Sequence, residues 1–299
     1  MLQDILSCST RAWVKYVQHK WIREQDPKAS ERMQVGTLFH KLFEWTLERR
    51  DVYESLFSFE TQYHAMFFEG VSQEKYTLAN LLVIAEVWLR DLSIYFRDYD
   101  VLATEQILRM PLSESVTFFG TPDAVLENEH GIWIVDNKTT GWLSEEKKKF
   151  WARGSQGMGY WSLVTHYYGK EPRGVLWNAL EIGKIPPYDG NMSKKCAKHS
   201  VKYGECQSLH VNKQMIGPVT YTKDQVASWY VQVINATARF ATLQAQPDYA
   251  PVEMEGRFTY PGCSQCGLTD WCWGGRPVHL MSSMMEEYTW PRKETSLEE

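Results

Sequence analysis

Apolar positions recur along this chain with two periods, and the change of period marks its parts. Near the start, Ala12, Trp13, Tyr16 and Val17 follow a possible Ser9 or Thr10 cap at helical spacing. A polar, proline-bearing stretch from Glu24 to Ser30 reads as a loop. From Arg32 to Arg49 the helical period returns, with Leu38, Phe39, Leu42 and Trp45 as core candidates. Residues 50–97 are mostly helical in pattern, with Leu81-Leu82-Val83-Ile84 and Val87-Trp88-Leu89 as their most apolar segments. Val101 to Met110 then turns to strand. Val116 to Glu127 reads as one strand, Asn128-Glu129-His130-Gly131 as a tight turn, and Ile132-Trp133-Ile134-Val135 as a buried return strand. Helical spacing resumes from Ser155 to Tyr168 and stops at Gly169. Arg173 to Ile182 is a further strand, Gly183 to Pro218 is loop-rich, and Val226 to Gln244 is a long amphipathic helix behind a Thr222/Gln225 capping box. That helix is expected to pack through Val226, Tyr230, Val233, Ile234, Thr237, Phe240 and Ala241. The central order is helix, three strands, helix, strand, an α/β pattern.

Composition narrows this only modestly. With 299 residues and 43% hydrophobic content the chain can bury a sizeable core. Aromatics make up 14%, including 13 Trp and 16 Tyr, rings that can fill a core or stack on bases. The net charge of −5 argues against a broadly basic coat for nucleic acid. Two local basic patches stand against that balance: Lys147, Lys148, Lys149 and Arg153, and Lys194, Lys195, Lys198 and Lys202. No stretch is long and apolar enough to span a membrane, and no secretory leader is visible, so a cytoplasmic, intracellular protein is expected. No phosphate-binding loop of the ATPase kind occurs.

The candidate chemistry lies where polar groups interrupt apolar patterns. Asp123, Asp136 and Lys138 sit at the ends of the 116–135 hairpin, and buried carboxylates are costly unless paired or bound to a cation. Two carboxylates beside a lysine suit a hard divalent cation. Glu105, within the expected 101–110 strand, is either a further acidic residue near the site or a solvent-facing strand residue, and the second reading is favoured. His40 lies on the 32–49 helix with Gly36 one turn away, where a close approach by another backbone is possible. Gln156 and Tyr160 share a helix face, and Gly157 and Gly159 beside them suggest a close neighbour.

Six cysteines in an intracellular chain suggest metal ligation or free thiols. Cys263-x2-Cys266-x5-Cys272 provides three soft ligands within ten residues, and Cys8 is the natural fourth. Cys196-x2-His199 and Cys206-x3-His210 have ligand types and spacings that can bind zinc, the alternative being a basic loop near DNA.

Taken in order, Cys8, His40, Pro122-Asp123, Asp136-Asn137-Lys138, Gln156-x3-Tyr160 and Cys263/Cys266/Cys272 resemble the RecB-type members of the PD-(D/E)XK nuclease superfamily. Similar arrangements occur in AddB-like subunits and CRISPR-adaptation nucleases. The resemblance implies a restriction-endonuclease-like core: a mixed sheet of about four strands flanked by helices. It also implies a helical insertion and an iron–sulfur staple joining the chain ends. The layout expected is a single nuclease domain over 1–299. Its core is 30–182 with the insertion at 50–97, followed by a loop-rich basic insertion at 183–220 and a packing helix at 221–245. Residues 1–20 and 255–275 form the staple. By resemblance, Asp123, Asp136, Lys138, Gln156 and Tyr160 are catalytic. His40, Asp123, Asp136 and the Asn137 backbone carbonyl hold one or two Mg2+ or Mn2+ ions. Cys8, Cys263, Cys266 and Cys272 hold a [4Fe–4S] cluster, with Zn2+ as the alternative. Gln156, Tyr160, Lys147, Lys148 and Arg153 meet nucleic acid.

The activity expected is metal-dependent hydrolysis of DNA phosphodiester bonds. An exonuclease on DNA ends or single strands, in recombination, repair or phage DNA processing, fits best. The partners are then DNA and a helicase, recombinase or single-strand-binding protein, with no membrane. The alternative is a silent DNA-binding or partner-recruiting module with the same fold.

Overall fold

The computed structural model describes residues 20–22, 27–49, 51–114, 116–186, 191–245 and 285–287. The chain divides into two compact units, residues 26–223 and residues 1–25 with 224–299.

In the smaller unit, strand β1 (Lys20–Ile22) pairs antiparallel with the short C-terminal strand Met285–Glu287. This unit also contains nearly all of the long helix Lys223–Ala245, which buries Trp229, Val233 and Ala236. Those positions recur every three to four residues, as a packed helix face requires. The stripe runs one line over from the expected one, and Ile234 is 37% exposed.

The larger unit opens with α1 (Pro27–Arg49), α2 (Val52–Met66) and α3 (Leu78–Tyr95). Helix α1 begins within the stretch expected to be loop. Pro27 is its first residue, where a fixed φ and a missing N–H cost nothing. Asp51 caps α2 by accepting from the Glu54 N–H. Aromatic rings join these helices. Phe39 meets Phe59 and Trp88 edge-on at centroid distances of 5.3 and 5.7 Å.

Five strands follow in one mixed sheet, one more than expected: β2 (Asp100–Thr104), β5 (Ala124–Asn128), β6 (Gly131–Thr140), β7 (Gly174–Glu181) and β8 (Lys213–Val219). They lie in the order β2-β5-β6-β7-β8. Only β6 and β7 are parallel. They are joined through α4 (Glu145–Arg153) and α5 (Ser155–Tyr168), the helical crossover that parallel pairing demands. The fifth strand, β8, comes from the end of the segment expected to be loop-rich, and it closes one edge against β7.

Two expected strands are each divided. The 101–110 strand breaks at Glu105, whose φ of 48° is left-handed. The 116–127 strand breaks at Thr121-Pro122-Asp123, where proline cannot donate to a ladder. The pieces between the breaks, β3 (Leu108–Pro111) and β4 (Thr117–Gly120), pair with each other as a separate hairpin. The chain therefore leaves the main sheet after Thr104 and rejoins it at Ala124. Both breaks are positions of acidic residues.

Alternation along the strands assigns the two faces of the sheet. Ala124, Leu126, Val135, Leu176 and Leu180 join the core built with α1 and α3. Val125, Ile134, Val175, Trp177 and Ala179 are buried outside that cluster, and α5 packs on both β6 and β7. Among the described residues, no helix is long and apolar enough to cross a membrane.

Candidate active site

Strand β6 lies at the centre of the sheet, and its alternation sorts the tripeptide Asp136-Asn137-Lys138. Asp136 and Lys138 point toward α5, and Asn137 points toward α1 and α3. All three are fixed by different neighbours.

On the α1 side, Asp123 is the hub. Its Oδ1 accepts from His40 Nδ1 at 3.1 Å. Its Oδ2 accepts from both the backbone N–H and the side-chain amide of Asn137, at 2.6 and 2.9 Å. Asn178 Nδ2 donates to Asn137 Oδ1 at 2.6 Å, and Trp88 Nε1 donates to Asn178 Oδ1 at 3.2 Å. The parallel register sets Asn137 directly beside Asn178. A buried chain of hydrogen bonds thus runs from the aromatic core to the carboxylate, and each buried group in it has a partner. Helix α1 comes close enough because Gly36 has no side chain. A Cβ there would meet Thr139 Oγ1 of β6 at 3.1 Å.

Glu105 completes this side, the less favoured of the two readings of it. Ligand atoms of His40, Glu105 and Asp123 all lie within 4.8 Å of one another. The Glu105 backbone N–H donates to the Asp123 carbonyl at 3.1 Å. Reading Glu105 as a solvent-facing strand residue fails because the strand ends at Thr104. A left-handed φ at a non-glycine residue costs about 1–3 kcal/mol and gathers at functional sites. The antiparallel pairing of Thr104 with Ala124 carries the signal. Continued by one residue, it puts Glu105 opposite Asp123.

On the α5 side, Asp136 is 2% exposed. Lys138 Nζ lies 2.6 Å from its Oδ2 and donates to Gln156 Oε1 at 3.0 Å. Gln156 Nε2 donates to Asp136 Oδ1 at 3.3 Å and to the Tyr160 hydroxyl at 2.9 Å. The Tyr160 hydroxyl donates to the Thr121 carbonyl at 3.0 Å, next to Pro122. Lys138 also sits over the Trp177 ring, 5.2 Å from its centroid. The close neighbour expected at Gly157 is real: a Cβ there would meet the Tyr221 hydroxyl at 2.1 Å and Trp177 at 3.1 Å.

The two carboxylates have opposite electrostatics. Burial would raise Asp123, but its bond to His40, the charge of His40 and the Asn137 N–H hold it below the ordinary carboxylate range. Burial pushes Asp136 up to about 6, against the pull of Lys138 and with a further push from Asp123. Burial works against a charge on His40, yet its bond to Asp123 and the charges of Asp123 and Asp136 lift it above its usual value. Burial first, then Asp136, raises the Tyr160 phenol well above 10, so it stays a hydrogen-bond donor.

Asp136 Oδ2 is buried with a charge beside it but no well-aligned hydrogen-bond donor. His40, Glu105 and Asp123 offer one imidazole and two carboxylates converging within 4.8 Å, a donor set that suits a hard divalent cation; Asp136 is not one of that converging group and is paired with Lys138. The residues present therefore fit such an ion.

A model of the PD-(D/E)XK nuclease superfamily matches residues 1–273, most of the chain. The chain belongs to that superfamily. Pro122-Asp123, in the break before β5, and Asp136-Asn137-Lys138, on β6, carry the letters of the superfamily's name. Curated proteins give no match. Among solved structures, "Crystal structure of SSO0001" aligns at a TM-score of 0.30 and 10% identity, covering 77% of this chain and 79% of that one. A likeness that loose adds nothing to the argument.

Other expected site residues are more scattered. Lys147 Nζ is engaged by Thr140 Oγ1 at 2.5 Å and the Trp142 carbonyl at 3.0 Å. Lys148 pairs with Glu145 at 2.6 Å. Arg153 is exposed in the last turn of α4. Cys8, Cys263, Cys266 and Cys272 lie outside the described residues. Cys196, His199, Cys206 and His210, by contrast, come together within 4.8 Å. Asn178, Trp88 and Thr121 join the site only through the fold, as no local pattern marks them.

Proposed function

We propose that this superfamily member is a DNA nuclease that uses a divalent cation to hydrolyse phosphodiester bonds, acting on DNA ends or single strands as an exonuclease. The observation that carries the reading is the convergence of His40, Glu105 and Asp123 ligand atoms within 4.8 Å, together with the buried Asp136–Lys138 pair. Bound at Asp123, Asp136, His40 and the Asn137 backbone carbonyl, with Glu105 as a further ligand, Mg2+ or Mn2+ would supply Lewis acidity and a more acidic water.

The chain's own groups then have separable tasks. Lys138 Nζ, held between Asp136 and Gln156, orients the attacking water and offsets negative charge developing on the phosphate. Gln156 ties Asp136, Lys138 and Tyr160 into one array, which fixes the lysine's direction. Tyr160 anchors that array to the backbone before Pro122 and, with Gln156, borders the path of the strand. The Asn137–Asn178–Trp88 chain keeps Asp123 ionised and immobile. Trp142, 70% exposed just past the end of β6, and Phe150, 41% exposed on α4, offer rings for stacking on unpaired bases. Arg153 offers a phosphate contact.

The four cysteines Cys8, Cys263, Cys266 and Cys272 belong to the same proposal as ligands of a [4Fe–4S] cluster, on the strength of the RecB-type resemblance; four thiolates suit Zn2+ as the alternative. An intracellular setting with recombination or repair partners follows from such a substrate.

End-labelled single-stranded, duplex and closed circular DNA, incubated with Mn2+ or Mg2+, tests the reading. Progressive loss of label from linear DNA with circles left intact is expected. Cutting of circles would replace the exonuclease with an endonuclease. Tight DNA binding without cleavage in either metal would instead make the chain a silent binding module.

A further inference from the structure

We propose that residues 191–211 form a zinc knuckle in which Cys196, His199, Cys206 and His210 hold one structural Zn2+. The site is apart from the carboxylate centre and does not depend on the nuclease reading.

The donors already stand at zinc-like spacing. Cys196 Sγ is 3.1 Å from His210 Nε2 and 3.8 Å from His199 Nδ1. Cys206 Sγ is 3.1 Å from both of those nitrogens. For Zn–S of about 2.3 Å and Zn–N of about 2.0–2.1 Å, tetrahedral geometry puts sulfur and nitrogen about 3.6 Å apart. The observed edges bracket that value closely enough for small side-chain shifts to close the difference. Both cysteines are free rather than joined to each other.

The local fold is arranged around these four atoms. Cys196 N–H donates to the Val201 carbonyl and Ser200 N–H to the Cys196 carbonyl, both at 2.8 Å. Ser200 closes that turn with a left-handed φ of 59°. The turn brings Cys196 and His199 to one side, and an isolated bridge between Lys195 and Lys202 shuts its base. A short helical run over Tyr203–Cys206 and Gln207–His210 then puts Cys206 and His210 one turn apart. The two imidazoles meet edge-on at 4.6 Å.

Apolar burial within the segment is slight. Within 191–211 the buried residues are Cys196, Cys206 and Val211. The connection from β7 to β8 runs from Glu181 to Lys213, far beyond the usual loop length of about 4–6 residues. Segments too small for an apolar core commonly depend on a metal or disulfides. A Rieske-type [2Fe–2S] centre also takes two thiolates and two imidazoles, but it puts the thiolates on one iron and the imidazoles on the other. Here each sulfur lies 3.1–3.8 Å from both nitrogens, so the four donors close on one point, which favours a single tetrahedral Zn2+. Four protein ligands leave no open position, so the ion would be structural rather than catalytic.

The test uses the full chain, purified without chelator. Metal content is measured for wild type, for Cys196→Ser/Cys206→Ser and for Cys263→Ser/Cys266→Ser. Zinc-edge X-ray absorption is recorded on the last of these. The knuckle variant should lose about one zinc per chain relative to wild type. The C-terminal variant should keep that zinc in a shell of mixed sulfur and nitrogen. Equal zinc in wild type and the knuckle variant, or an all-sulfur shell in the C-terminal variant, would overturn the proposal. If the knuckle variant does not fold, the absorption shell still decides.

Discussion

The carboxylate centre and the 191–211 segment both gather metal-type donors, but by opposite means. His40, Glu105, Asp123 and Asp136 come from a helix, two strand breaks and one strand, spread over nearly a hundred residues of chain. A large apolar core and a buried chain of amides hold them in place. Cys196, His199, Cys206 and His210 come from fifteen consecutive residues with almost no apolar burial of their own. In the first region the fold makes the site, and the ionised Asp136 is a burden on the fold. In the second, the proposed ion would make the local fold. Neutralising Asp136 and removing a ligand of the 191–211 segment should therefore have opposite consequences for stability.

The largest expected effect is at Asp136. Asp136→Asn should slow metal-dependent cleavage about 10²- to 10³-fold, the scale of losing one group that stabilises transition-state charge. The same change should raise the melting temperature of chelator-treated protein at neutral pH. The sign follows from linkage. The Asp136 carboxyl is raised to about 6 in the folded chain. Its contribution to stability is full below the ordinary carboxylate range and is lost as pH rises through about 6. The advantage of Asp136→Asn should thus appear between about pH 4 and 7 and vanish in acid. Asp123→Asn should behave in reverse, because Asp123 is held low by His40 and Asn137. Its contribution is present above the ordinary carboxylate range and lost as pH falls. Thermal melts of the two variants against pH would separate the carboxylates.

Next in size is Glu105. If it shares the cation with His40 and Asp123, Glu105→Gln should weaken Mn2+ binding about 10- to 100-fold, measured by titration, with little change in melting temperature. Unchanged Mn2+ affinity would leave Glu105 outside the ligand set.

At the knuckle, chelation or Cys196→Ser/Cys206→Ser should open 191–211 to proteolysis at least several-fold faster while α1, α3 and the sheet stay protected. Cleavage across the whole chain at one rate would mean the segment is not a local unit.

The smallest effect is expected from Tyr160→Phe. It removes the hydrogen bonds to Thr121 and Gln156, each worth about 1 kcal/mol. Activity should fall a few-fold, through kcat rather than metal affinity.

Much of this site was legible because its letters are local. Pro122-Asp123, Asp136-x-Lys138 and Gln156-x3-Tyr160 each lie within one element or turn, and their order pointed to the superfamily. The strands around them were less so. The ladder from Val101 reads as continuous until Glu105 takes a left-handed turn, and that conformation leaves no trace in hydrophobic period. Without the break, Glu105 faces solvent on paper; with it, the residue lies beside Asp123. Asn178 and Trp88 were invisible for a different reason. Their role depends on the β6–β7 register and on how α3 packs, neither of which is written in a local pattern. The Cys196–His210 spacing was visible but ambiguous, since the same letters suit a basic loop until the donor atoms converge.

The central claim is that Lys138 and the carboxylate cluster together cut DNA with a divalent cation. Single-turnover cleavage of end-labelled DNA in Mn2+, comparing wild type with folded Lys138→Ala, tests it most directly. Wild type should cut in Mn2+ and stop on chelation, and Lys138→Ala should be slower by about 10²-fold or more. A folded Lys138→Ala that cuts at the wild-type rate would contradict the account.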